Sequence, residues 1–169
     1  GQLVSMPEIN LIRNGYFNKT TASGGEAEWS GPHLVVDGVV NLDPNPNGVN
    51  YWDFTMTQQT FGCNTTDMYT FSFVLWADEP DTFNVDFEDP ANGYNRYGKS
   101  THEVSAGESD WVINGTPTEP TKYIFDVVFN EKLDNTTESC QFMVGRHDAV
   151  LYIDSVELIN ENDLALITD

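Results

Sequence analysis

MYTFSFVLWA (68–77) alternates without a break: Tyr69, Phe71, Phe73 and Leu75 fall on one face, Thr70, Ser72, Val74 and Trp76 on the other. A sustained period of two is the signature of a strand with one buried face. The pattern returns in DTFNVDFE (81–88), where Phe83, Val85 and Phe87 alternate with Asn84, Asp86 and Glu88. It returns again in TKYIFDVVFN (121–130), with Tyr123, Phe125, Val127 and Phe129 as the buried set. Further strands read at LIRN (11–14), PHLVVDGVVNL (32–42), WDFTMTQQTF (52–61), CQFMV (140–144) and AVLYIDSVELI (149–159). Turn-rich stretches such as DPNPNG and NGTPTEP separate them, and no helical pattern of useful length intervenes. Short strands at that spacing imply an all-β sandwich or barrel. The strands occupy residues 9–160 as one domain; 1–8 and 161–169, which do not alternate, read as linkers.

At 169 residues the chain is long enough for one sandwich with a sizeable core. Its net charge of −20, with only seven Lys and Arg, bounds the partner more tightly. Nucleic acid binding needs clustered cations, and an anionic membrane surface repels such a chain for the same reason. A neutral ligand or a cation fits. No stretch approaches the ~18 apolar residues of a membrane span, and no leader is visible, so a secreted protein of this sequence has had its leader trimmed. Two cysteines, Cys63 and Cys140, stand before one strand and at the start of another. Paired, they close a loop of roughly 80 residues, worth about 4 kcal/mol by chain entropy. The pairing is expected, with two buried thiols as the alternative. Four Asn-x-Thr sequons, at Asn18, Asn64, Asn114 and Asn135, are near the number chance supplies in so Asn- and Thr-rich a chain.

The residues with chemistry in them favour binding over catalysis. His33, His102 and His147 stand apart, without a metalloprotease helix or a partner at ligand spacing, and no nucleophile elbow or phosphate loop is present. Asp86 and Glu88 share a strand face about 7 Å apart, a separation that glycoside hydrolysis uses, but they also suit a polar sheet face in an acidic chain. Aromatics at strand ends point elsewhere. A pyranose ring has apolar C–H faces and a polar rim, so it stacks on aromatic planes and is hydrogen-bonded at its edge. Trp52 enters its strand directly after a turn and is followed by Asp53; Tyr94 and Tyr97 flank Arg96 in the Gly-rich NGYNRYG (92–98). Trp76 joins these as a candidate contact from the outward face of its strand.

In order and spacing, NLIRNGYFN (10–18), DGVVNL, NYWDF (50–54), YTFSFVLWADE, NGYNRYG, FMVG and VLYIDSVEL resemble the carbohydrate-binding modules of families 4 and 9, with kinship to family 22. The resemblance covers nearly all of residues 10–159. It implies a jelly-roll β-sandwich of the galactose-binding-like kind, whose concave sheet forms an open cleft for a single glycan chain. It makes Trp52 one stacking platform and Tyr94 the other. Asp53, Thr55, Asn84, Asp86 and Glu88 become hydrogen-bonding groups on the cleft floor, with Gln141, Met143 and Arg146 from the last cleft strand. It also implies a structural Ca²⁺ on the convex side, held by Asp154, the main chain at Tyr16, Asn18 and a residue near Asp37. The sequence departs from the pattern at Tyr51, where the family carries proline, and at Asn18, where it prefers glutamate. The expected ligand is a neutral β-glycan: a β-glucan (laminarin-like β-1,3 or mixed-linkage) first, xylan close behind. The expected setting is a secreted, non-catalytic monomeric module of a larger protein, attached to a glycoside hydrolase or a surface glycan-binding protein. The alternatives are a glycosidase using Asp86 and Glu88, and an adhesion domain that binds protein.

Overall fold

The computed structural model describes residues 9–19, 28–31, 33–59, 63–90, 93, 95–96, 98–100, 111–129 and 139–166. Among them run β1 (Leu34–Val36), β2 (Val39–Leu42), β3 (Thr55–Gln59), β4 (Tyr69–Ala77), β5 (Thr82–Asp89), β6 (Asn95–Arg96), β7 (Gly98–Ser100), β8 (Trp111–Asn114), β9 (Thr121–Phe129), β10 (Ser139–Met143) and β11 (Leu151–Asn160), followed by one helical turn, α1 (Glu161–Leu164). Two antiparallel sheets face each other. One has the order β1-β2-β11-β4-β9-β7; the other has β3-β10-β5-β6, with β8 also paired to β5. The chain is an all-β sandwich, as its alternation predicts.

Parity explains the core. Tyr69, Phe71, Phe73 and Leu75 of β4 are fully buried and meet Phe83, Val85 and Phe87 of β5 across the gap between the sheets. Phe142 of β10 sits among them, with ring centroids 5.7–6.2 Å from Phe71, Phe73 and Phe83 and 5.8 Å from Trp29. Trp111 also lies in this core, stacked on Phe125 at 5.2 Å.

LIRN forms no strand. Its backbone is held from outside instead: Leu11 N–H donates to Leu158 O at 2.8 Å, and Asn10 bonds Val156 O and Leu158 N–H through its amide. Val156 N–H in turn donates to Gly15 O at 2.8 Å. The two stretches that open and close the resemblance, 10–18 and 150–159, therefore lie side by side. A β-bulge between Asp154 and Glu157, with Ser155 at φ +50°, bends β11 where they meet.

Three other expectations are corrected. PHLVVDGVVNL is a hairpin, not one strand: β1 and β2 are joined by Asp37 and Gly38, at φ +52° and +78°, the left-handed pair a two-residue loop requires. Cys63 and Cys140 are both buried thiols, without a disulfide. Strand parity places Cys140 wholly inside the core, where it packs as a small apolar group and burial pushes its thiol well up. The first part of 161–169 is folded, not linker: Asn160 caps α1 by accepting from Asn162 N–H at 2.9 Å, and Glu161 N–H reaches Met68 O.

Candidate functional site

The outward face of the β3-β10-β5 sheet is built from parity and register. Cys140 and Phe142 of β10 point to the core, so Gln141 and Met143 point away. Met143 pairs with Thr55 on one side and Asn84 on the other; Gln141 pairs with Thr57 and Asp86. Two cross-strand rows, Thr55–Met143–Asn84 and Thr57–Gln141–Asp86, thus lie on one surface, about 4.8 Å from strand to strand. Above that surface opens a cleft of about 740 Å³, lined by Tyr51, Trp52, Thr55, Thr57, Glu88, Pro90, Gly93, Gln141 and Met143.

Trp52 stands at its edge, 55% exposed, with Tyr51 edge-on to it at 4.7 Å. The turn that carries Trp52 is fastened locally. Asp53 Oδ2 accepts from the amides of Val49 and Asn50 at 2.7 and 2.8 Å, and Asp53 N–H donates to Asn50 O. Those amides, Asn50 foremost, hold the Asp53 carboxyl below the usual range. Asp53 therefore serves the turn directly. The turn is also pressed onto the loop after β10. A Cβ on Gly145, at φ +35°, would stand 2.2 Å from Asn50 O and 2.5 Å from Tyr51 Cα. Asn45 bridges the same loop, its side-chain amide donating to Gly145 O at 2.7 Å and its N–H to His147 O at 2.9 Å.

The remaining candidates divide. Trp52, Thr55, Glu88, Gln141 and Met143 line one cleft. Asn84 and Asp86 lie on the same sheet face but do not line the cleft. Arg146 is exposed in the loop after β10 and lines no part of the cleft. Arg96 lies in β6, its backbone paired with Glu88. Tyr94 and Tyr97 fall outside the described residues. Trp76 belongs elsewhere: its strand joins the other sheet, and its ring stacks on Tyr152 at 5.2 Å on that sheet's outer face. Thr57 and Tyr51 are cleft residues the sequence reading passed over. Thr57 was legible as the period-two companion of Thr55, and Tyr51 as the neighbour of a turn aromatic.

Among solved structures, a family 4 carbohydrate-binding module matches with a TM-score of 0.66 at 18% identity, over 88% of this chain and 99% of that one. The second N-terminal cellulose-binding domain of Cellulomonas fimi β-1,4-glucanase C matches at 0.61 and 16%, over 90% and 94%. A family 16 carbohydrate-binding module matches at 0.55 and 15%, over 89% and 100%. No protein-family model and no curated protein sequence matches. The chain has the sandwich fold of these modules.

Of the residues expected around a cation, Asp154 lies in β11 and Asp37 in the β1–β2 turn, both on the sheet away from the cleft, while Tyr16 and Asn18 belong to the segment laid against β11. Ile153 pairs with Val40, so Asp154 stands one step nearer the Asp37–Gly38 turn. Its carboxylate is half-buried and accepts from Ser155 N–H at 2.8 Å; burial raises its pKa. Tyr16's hydroxyl is committed to Glu157 at 2.9 Å, which leaves its main chain for any cation. Asn18 and Asp37 are exposed. Among the described residues, no three His, Cys, Asp or Glu side chains gather as a metal-binding group.

Proposed function

We infer that the chain is a non-catalytic module that binds a single chain of a neutral β-glycan in the cleft above β3, β10 and β5. One observation carries the reading: a largely exposed indole, Trp52, fixed by its own turn beside an open cleft floored with Thr, Gln and Glu. An indole face takes the apolar side of a pyranose ring, and the floor takes its hydroxyls. An open cleft suits a soluble internal stretch of one chain rather than a crystalline surface. A net charge of −20 favours a neutral polymer over alginate or pectate. Within that class a β-glucan, laminarin-like first, ranks ahead of xylan. Hydrolysis is disfavoured because of the two carboxylates only Glu88 lines the cleft, Asp86 standing outside its lining. The module would work outside the cell, holding a linked catalytic domain or a cell surface near substrate and raising its effective concentration.

Affinity electrophoresis against laminarin, barley β-glucan, xylan and hydroxyethyl cellulose tests this. Retardation by at least one neutral glycan, without release of reducing sugar, is the expected result, with a dissociation constant of about 10–100 µM. Retardation by none would favour a protein-binding domain, and turnover abolished by Asp86→Asn would make the chain a glycosidase.

Calcium belongs to the same proposal, as a structural ion at Asp154. A raised carboxyl pKa means that the ionised form is disfavoured in the fold, so without a cation Asp154 costs stability progressively as pH rises out of the ordinary carboxyl range, in full above its folded value. A bound cation reverses that penalty. Calcium at 100 times its dissociation constant is expected to stabilise the fold by about 2.7 kcal/mol. Melting temperatures in calcium and in EDTA should differ for the wild type and coincide for Asp154→Asn; equal wild-type values would remove the ion from the account.

A further inference from the structure

Tyr51 stands where the modules that this sequence resembles carry proline, and it lines the cleft together with Trp52. The two rings meet nearly at right angles, 84° between their planes, with centroids 4.7 Å apart. An edge-to-face pair is a favoured arrangement, since the positive rim of one ring meets the negative face of the other. It sets two perpendicular aromatic planes at one end of the cleft, as the walls of a corner. We propose that Tyr51 is a specificity-determining residue. Its ring, set across that of Trp52, takes the sugar next to the one stacked on the indole, and so selects a chain that bends between consecutive residues, a β-1,3-glucan. This rests on the glycan-binding reading above and assigns the residue that sets which chain the cleft prefers.

The corner is held from two directions. Asp53 accepts from the amides of Val49 and Asn50, and its own N–H donates to Asn50 O at 3.0 Å, so residues 49–53 close on themselves around both rings. The backbone of Tyr51 lies against Gly145, where an added methyl would come within 2.5 Å of Tyr51 Cα, so the tyrosine has no room to withdraw on that side. Trp52 is largely exposed and Tyr51 half-buried, which places the pair at the surface and not in the core. The floor continues from there: Thr55 faces Met143 across the strands, and Thr57 faces Gln141 about 7 Å further along β3.

Linkage decides what a chain can do at such a corner. In a β-1,4-linked glucan or xylan the two glycosidic bonds leave each ring from opposite ends, so the chain runs straight and carries the neighbours of a stacked ring away along one axis. In a β-1,3-linked glucan the second bond leaves from the side of the ring, so the chain curves and consecutive rings turn their faces in different directions. A curved chain lays one ring on the indole and folds the next onto Tyr51; a straight one meets a single plane. The contact uses the apolar C–H face of the sugar and the face of the tyrosine ring, and asks nothing of the phenol hydroxyl. Discrimination of this kind comes from shape, the fixed angle between two rigid rings.

Calorimetry with laminari-, cello- and xylo-oligosaccharides of equal length tests this in wild type, Tyr51→Phe and Tyr51→Leu. Wild type should bind the laminari-oligosaccharide most tightly. Tyr51→Phe, which keeps the ring face, should match wild type on all three. Tyr51→Leu keeps apolar bulk against the indole but offers no ring face. It should lose about tenfold for the laminari-oligosaccharide and keep wild-type affinity for the other two. A tyrosine that only braced Trp52 would, on replacement by leucine, weaken all three ligands alike or none. Equal loss, no loss, or a matching loss in Tyr51→Phe therefore overturns the corner. If wild type prefers the cello- or xylo-oligosaccharide, this inference falls while the glycan-binding reading stands; if it binds none of the three, both fall.

Discussion

Phe142→Ala is expected to destabilise the fold by about 3–5 kcal/mol, the range for truncating a buried phenylalanine. The residue is wholly buried, and its ring is wedged among Trp29, Phe71, Phe73 and Phe83, which come from both sheets and from the segment before β1. Aromatic neighbours cannot collapse into the space as flexible side chains would, so the cavity term stays near its full size. In a domain of this length each kcal/mol moves the midpoint by about 2–4 °C, so the melting temperature should fall by roughly 10 °C. Calorimetric melting checks this. A fall below about 3 °C would mean that the two sheets are held together elsewhere than through this cluster.

Gly145→Ala is expected to damage stability and binding together. The residue has φ +35°, a backbone that disfavours any Cβ, and the added methyl would stand 2.2 Å from the carbonyl oxygen of Asn50. Backbone atoms cannot swing aside as a lysine tip can, so the turn carrying Tyr51 and Trp52 must shift. The strain alone is worth about 1–2 kcal/mol, and displacing the stacking face should weaken glycan affinity by more than tenfold. Gly38→Ala is the comparison. It too has a positive φ, +78°, but nothing lies within 4 Å of the added methyl and it stands on the opposite sheet. It should cost similar backbone strain and leave affinity unchanged. If Gly145→Ala binds as tightly as Gly38→Ala, the contact with Asn50 does not position Trp52.

The strands that alternate cleanly were legible, because burial on one face leaves a period-two imprint: β4, β5 and β9 follow MYTFSFVLWA, DTFNVDFE and TKYIFDVVFN almost residue for residue. Alternation does not tell which sheet a strand joins. Trp76 was correctly read as facing outward, yet outward from β4 means the face opposite the cleft, since β4 pairs with β11 and β9 rather than with β10. Sheet membership is set by long-range pairing that no local pattern records. Asp37-Gly38 did carry a hairpin signal, masked by the apolar run around it. LIRN misled for a different reason: its groups are satisfied by Asn10 and by β11 nearly 150 positions away. The Trp52 turn was legible from one aromatic after a polar turn, but the clamp that fixes it, Asn45 and Gly145 acting across 100 residues, was not.

The central claim is that the β3-β10-β5 face, not the opposite sheet, takes the glycan through Trp52. Its most direct test is one set of calorimetric titrations, with the best-retained polysaccharide, of wild type, Trp52→Ala and Trp76→Ala. Wild type and Trp76→Ala should bind alike, with affinity lost or lowered by at least about tenfold in Trp52→Ala, the loss expected for an exposed stacking aromatic. Undiminished binding by Trp52→Ala, or loss confined to Trp76→Ala, would contradict it.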